Sequence, residues 1–267
     1  MVPTEKDSPA PRKRRVQAVE HAVDILEQLS RANAPVGVSE IARQTELSKA
    51  TVYQLLATLE ARRLVMRDPD SPAYRLGWAM YEMGTVVAES SEVSRAARPS
   101  LDRLALETGE SVLLGVIDEG SVLYLARGDA PSGFHMVAAP GRRSPLHATA
   151  SGKVLLAFEG AEAVTSYLEG PLESFTPNTL TAAGTLEEQL GQIREQGFAT
   201  CWQERELGLC SIAVPVRDHS GKVVAALTVA GPAGRLTEST VDEHLEPLRA
   251  AAAEIAALLG FRQAVAV

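Results

Sequence analysis

The sequence predicts an α+β chain in two parts: a front of short amphipathic helices closed by a small hairpin, and a rear built on an antiparallel sheet. Two observations predict it. Between Val16 and Glu60 apolar residues recur at spacings of three and four, the helical period, whereas from Glu110 onward they alternate or run in short blocks between turn residues. Charge shifts along with period: residues 1–78 hold 12 Lys and Arg against 10 Asp and Glu, the remainder 14 against 24, within a net charge of −8. At 267 residues, 45% hydrophobic and 22% charged, the chain is long enough for two cores.

Residues 1–15, MVPTEKDSPAPRKRR, end in the run Arg12, Lys13, Arg14, Arg15 and read as a disordered basic arm. Two readings of it stand: an arm that follows phosphates or a minor groove, and a solvated tail. Charges and prolines stand where a signal peptide needs an apolar core, and no stretch reaches the roughly 20 apolar residues of a membrane span, so a cytoplasmic protein is expected. Cys201 and Cys210 are in no CxxC arrangement and are expected to be reduced thiols.

Residues 16–77 make the first domain. In VQAVEHAVDILEQLSRA, Val19, Ala22, Leu26 and Leu29 form an inward stripe, and the helix ends before Pro35 and Gly37. Ser39 is expected to cap a second short helix with Ile41, Ala42 and Leu47 inward. Ser48 caps a third, KATVYQLLATLE, whose stripe is Val52, Leu55, Leu56 and Leu59. Two short helices joined by a tight turn, the second apolar on one face only, form a helix-turn-helix. LVMRDPDSPAYRLG then predicts a hairpin turning at Asp68 to Pro72, which makes the module winged.

The outward face of the third helix carries Lys49, Ala50, Thr51, Tyr53 and Gln54 and no carboxylate before Glu60, a composition suited to double-stranded DNA. The Gln54 amide has the geometry to pair bidentately with adenine and Ala50 to touch a thymine methyl. Ser48 can combine capping with a phosphate contact, and Arg67 and Arg75 flank the wing tip within reach of phosphates. Tyr53 has two readings, base contact or packing on the wing. Lys49 and Gln54 also read as ordinary surface residues.

Residues 78–94 read as a linker or dimerisation helix, pausing near Ser90 and Ser91. Trp78, Tyr81, Thr85 and Ala88 run down one side and call for a partner, most simply a second subunit, which would also supply two half-sites on DNA.

Residues 95–262 form the second domain. SVLLGVI and SVLYLAR make a hairpin around Asp118, Glu119 and Gly120, FHMVAA a third strand, 150–168 and 185–196 helices, GFATCW a strand, Cys210 to Gly231 a second hairpin and TESTVDEHLEPLRAAAAEIAALLG a closing helix. With its turn at DHSG, the second hairpin sets Ser211 opposite Thr228, Ile212 opposite Leu227 and Ala213 opposite Ala226. One face is then bulky. The other, Ser211, Ala213, Ala226, Thr228 and Ala230, is small with two hydroxyls, which suits either a ligand pocket or a helix lying close on the sheet.

PLHATASGKVLLA, residues 145–157, enters a helix whose first turn is Ala150, Ser151, Gly152, a terminus whose amides attract carboxylates. It is no phosphate-binding P-loop, because His147 stands where a glycine is required and Val154 follows Lys153. No nucleophile elbow, HExxH or paired-carboxylate motif supports an enzyme. His21, His135, His147, His219 and His244 are scattered, which argues against a metal centre, and His147 reads as an oriented structural residue. No cofactor is expected.

The winged module, PLHATASGK and GFATCWQERELGLCSIAVPVRD (197–218) together resemble the IclR-type bacterial transcriptional regulators over residues 16–262. The resemblance implies a winged helix-turn-helix joined by a linker helix to a GAF/profilin-like effector domain, a dimer or tetramer, a palindromic operator, and a small catabolite, often an organic acid, as effector. Carried over by motif position, the effector site is Ala150, Ser151, Cys201, Ser211, Thr228 and Ala230. Cys201 stands where the family often has an acidic or hydroxyl residue and Ala230 where it often has a hydroxyl, which implies a less polar pocket and a larger or more apolar ligand than a two-carbon acid. Glu46 replaces a common glycine of the helix-turn-helix turn, and Arg217 departs from the pattern before Asp218. Beside the sensor stand two other readings: an effector-independent DNA-binding oligomer, and a thiol or serine enzyme.

Overall fold

A computed structural model describes residues 16–129 and 138–262. The chain divides into two compact units, one through Val87 and one from Ala88.

In the first unit, α1 (Gln17–Arg31), α2 (Val38–Thr45) and α3 (Lys49–Ala61) bury Ile25, Leu29, Val38, Ile41, Val52, Leu56 and Leu59 in one core. Ala22 and Leu26 pack at its margin as their spacing predicts. Val19 does not: it is 59% exposed, one turn beyond the reach of the small core, and Ile25 takes the central place. Helix α2 starts two residues earlier than expected. β1 (Val36–Gly37) pairs with β3 (Ala73–Leu76), which holds Gly37 extended as the N-cap and leaves Ser39 inside the first turn. Glu46 then closes α2 in the left-handed region at φ 57, a strain of about 1 kcal/mol for a residue with a Cβ. β2 (Val65–Arg67) pairs with β3 to complete the wing, giving a sheet of order β1-β3-β2. Helix α4 (Trp78–Ser90) follows, and its apolar residues Trp78, Tyr81, Met83, Val86 and Val87 are all more than half exposed.

The second unit is a six-stranded sheet of order β6-β5-β4-β9-β8-β7, antiparallel throughout. β4 (Ser111–Asp118) and β5 (Ser121–Gly128) meet at Glu119 and Gly120, both at positive φ, the pair of conformations a two-residue I′ turn requires. The expected strand FHMVAA lies largely outside the described residues; the strand that pairs with β5 is β6 (Arg143–Pro145). The 150–168 stretch is two helices, α6 (Ala150–Ala157) and α7 (Ala161–Leu168), parted at Gly160. α8 (Ala183–Gln196) ends on left-handed Gly197, and β7 (Ala199–Trp202) follows.

The hairpin of β8 (Leu209–Arg217) and β9 (Val223–Pro232) corrects the expected register by two residues. Ser211 faces Ala230, Ile212 faces Val229, and Ala213 faces Thr228. One residue of the shift comes from the turn, where the Asp218 carboxylate accepts from the amides of Ser220 and Lys222 and widens it; the other comes from a bulge at Val216/Arg217. Beyond the bulge the shift is even and leaves each side chain on its own face, whereas Val223, expected on the bulky face, lies on the turn side of the bulge and packs with the small one. The bulky face, with Ile212, Val214, Val216, Ala225, Leu227 and Val229, packs under α5 (Glu92–Thr108) and α9 (Val241–Leu258), and the small face packs under α6 and α8.

Candidate functional site

The first unit presents α3. Ser48 caps it by accepting from the Thr51 amide at 3.1 Å. Val52, Leu56 and Leu59 point inward, whereas Ser48, Lys49, Ala50, Tyr53 and Gln54 are exposed and Thr51 is half-buried, so all six predicted contact residues of α3 and its cap share one outward side. Tyr53 is 56% exposed and thus is not buried against the wing. The two wing arginines differ. Arg67 reaches Glu60 at 3.3 Å and lies over the Tyr74 ring at 5.4 Å, so part of its charge is already engaged. Arg75, exposed on β3, forms no ion pair among the described residues.

The second unit gathers the other predicted residues around the start of α6. Thr149 fixes that start: its hydroxyl accepts from the Gly152 amide at 3.1 Å and donates to the Pro145 carbonyl at 3.0 Å. The amides of Ala150 and Ser151 are the first-turn donors this cap does not use. Gly152 permits the geometry, since a Cβ there would lie 2.4 Å from the Leu146 backbone. The Ser151 and Thr228 hydroxyls are hydrogen bonded at 2.8 Å in the interior, so at Thr228 the small face is covered by a closely packed helix. Ala150, Ser151, Cys201, Thr228 and Ala230 are buried and Ser211 half-buried.

Cys201 donates to the Ala148 carbonyl at 3.3 Å. Burial, reinforced by the charge of Glu204, pushes its thiol up to about 11, with Lys153 acting the other way. Three residues here were not singled out by sequence. Lys153 is wholly buried, its ammonium 2.7 Å from Glu204 Oε1, while Glu204 Oε2 makes no hydrogen bond. The signal was a lysine inside the otherwise apolar run ASGKVLLA. Tyr124, buried on β5, has its hydroxyl among those of Ser151, Ser144 and Thr149; burial raises its pKa and these bonds oppose the rise. His147 is anchored as expected of a structural residue, with Nδ1 2.8 Å from the Tyr167 hydroxyl and Nε2 2.9 Å from the Glu173 carbonyl.

A winged helix-turn-helix with an uncommitted outward helix face, carried by a chain whose other unit is a helix-covered antiparallel sheet, defines a DNA-binding transcription regulator. The chain belongs to the IclR family: residues 18–69 match the IclR helix-turn-helix domain and residues 85–257 the bacterial transcriptional regulator IclR C-terminal domain. It is 35% identical over 227 residues to the HTH-type transcriptional regulator KdgR of Escherichia coli K12, covering 85% of this chain and 86% of that protein. The Thermotoga maritima IclR crystal structure superposes with a TM-score of 0.77 at 31% identity, over 92% of this chain and 99% of that one. An IclR homolog from Microbacterium hydrocarbonoxydans, complexed with 4-hydroxybenzoate, superposes at 0.81 with 27% identity, over 91% and 98%. These families and relatives are transcription regulators, and the chain is not an enzyme. No helix among the described residues is long and apolar enough to cross a membrane.

Proposed function

We propose that the protein is a cytoplasmic, ligand-responsive regulator of a catabolic or metabolic operon that binds a palindromic operator as a dimer or a dimer of dimers. Residues 16–77 read the operator, 78–94 link and dimerise, and 95–262 sense the effector. Lys49, Ala50, Thr51, Tyr53 and Gln54 face base edges, while Ser48, Arg67 and Arg75 hold phosphates. Subunits pair through α4, whose Trp78 and Tyr81 are 64% and 70% exposed, more aromatic surface than a free helix in water keeps open.

The effector is a small organic acid whose carboxylate meets the α6 amides at Ala150 and Ser151, with Cys201, Ser211, Thr228 and Ala230 around the rest of it. The 4-hydroxybenzoate held by a relative supports an acid of this kind. Binding changes operator affinity by the effector's differential affinity for two arrangements of the dimer. The observation that carries the reading is the outward face of α3, exposed at Lys49, Ala50, Tyr53 and Gln54 and free of acid until Glu60.

A gel-shift titration against the protein's own upstream DNA, with and without acids found by a thermal-shift screen, tests it. Saturable, salt-sensitive binding that an acid alters is expected. Operator binding that every stabilising acid leaves unchanged would instead favour the effector-independent oligomer, a reading to which the dense covering at Thr228 lends weight.

A further inference from the structure

Beneath α6 the sheet reads in rows. Ser111 on β4 faces Ala230 on β9, Ala230 faces Ser211 on β8, and Ser211 faces Cys201 on β7. Directly opposed residues of antiparallel strands share a face, so these four form one row. Leu113, Thr228, Ala213 and Ala199 form the next. Leu113, Ala199, Cys201, Ala213 and Ala230 all lie in the core cluster that holds Ala150 of α6, which puts Ser111 on the effector side of the sheet.

The polar groups of these rows are not equally engaged. Thr228 is bonded to Ser151, and Cys201 to the Ala148 carbonyl. Ser111 is 1% exposed and its hydroxyl makes no hydrogen bond. A buried hydroxyl without a partner is destabilising, and packing alone does not call for one where alanine serves directly opposite, at Ala230.

We propose that Ser111 is a specificity-determining residue of the effector site, and that it selects an acid carrying a second oxygen far from its carboxylate. This rests on the effector reading given above. Ser111 is the diagonal neighbour of Thr228, a separation of about 7 to 8 Å, and Thr228 is bonded to the first turn of α6. A carboxylate on the Ala150 and Ser151 amides therefore stands about a ring's width from the Ser111 hydroxyl. Oxoacids with their two oxygen functions on adjacent carbons are too short to span it. A hydroxyaryl acid, or an open-chain acid hydroxylated at its far end, spans it across the apolar lining of Leu113 and Ala230.

Isothermal titration of the full chain with two probe pairs, 4-hydroxyphenylacetate against phenylacetate and 6-hydroxyhexanoate against hexanoate, tests the assignment. Wild type should bind the hydroxylated member of at least one pair about five- to tenfold more tightly. Ser111→Ala should erase that preference by weakening only the hydroxylated member, and should melt no lower than wild type, since it removes an unbonded hydroxyl. A preference that survives Ser111→Ala, a wild type that never discriminates, or a substantially lower melting point overturns it. If probes bind and Gly152→Ala, which disturbs the α6 amides, weakens them while Ser111→Ala treats each pair alike, only the Ser111 assignment fails. If no probe binds wild type, the effector reading of this site falls with it.

Discussion

Replacing Lys153 by methionine keeps the volume of its stem but removes the charge that faces Glu204 in the interior. The lysine side chain is 0% exposed and that of Glu204 7%, with their closest approach 2.7 Å. One glutamate oxygen also accepts from the Trp202 amide at 3.3 Å, and the other has no hydrogen bond, so Lys153→Met leaves a buried carboxylate without its cation. Stranding a buried charge in this way costs about 3 to 5 kcal/mol. At about 2 to 4 °C per kcal/mol for a unit of this size, the effector unit should melt roughly 6 to 20 °C lower. Differential scanning calorimetry of the full chain, which can resolve the two units, reads the shift. Adding Glu204→Gln removes the stranded charge yet keeps an acceptor for the Trp202 amide, and should recover more than half of the loss. A single variant within about 1 kcal/mol of wild type, or a double variant no better than the single one, would refute the reasoning.

Arg75→Ala should flatten the dependence of operator affinity on salt by close to one ion, and Arg67→Ala by less, because Glu60 already lies 3.3 Å from Arg67; Gln54→Ala should instead relax preference at one base position. Fluorescence anisotropy over a salt series separates these, and identical profiles for all three would contradict the assignment. The Cys201 thiol, raised from 9.0 to about 11 by burial and then by Glu204, has a folded pKa above its ordinary value. Its contribution to stability is therefore full below about pH 9 and falls by about 2 to 3 kcal/mol as pH rises to 11, so urea unfolding of Cys201→Ala should decline less across that window. Gly152→Ala would drive a Cβ to 2.4 Å from the Leu146 backbone and should both destabilise the effector unit and weaken acid binding, whereas Gly184→Ala and Gly191→Ala, in α8 with nothing within 4 Å, should stabilise by about 0.5 to 1 kcal/mol; calorimetry showing the same sign for all three would refute the close-approach reading.

What the chain declares locally, the structure repeats. Val52, Leu56 and Leu59 lie inward on α3, Ser48 caps it, and the helical stretch after the wing breaks at Ser91, all features set by spacing within a few residues. The misreadings share a cause. Ser39 looked like a cap because its chemistry fits one, but the extended backbone that starts α2 is imposed from Tyr74 and Ala73, far along the chain. The hairpin slipped because Asp218 collects two amides and a bulge adds a residue, neither of which alternation encodes. Lys153, Tyr124 and Ser111 are not legible in the sequence for the same reason: each matters through a partner, or the want of one, far along the chain.

The engaged state of the hydroxyls changes what an effector has to do. Ser151 is bonded to Thr228 and neighbours the Tyr124 hydroxyl as well, so an acid that takes either hydroxyl exchanges one bond for another and gains little. Net gain must come from groups with nothing to give up: the Ala150 and Ser151 amides and, under the proposal above, Ser111. For the same reason Thr228→Val alone is a poor probe of the site, because it breaks the bond to Ser151 and loosens the start of α6 whether or not a ligand touches Thr228. Removing both hydroxyls together takes away that bond from both sides, and an acid that still binds such a protein through the α6 amides would locate its affinity in the backbone of that first turn.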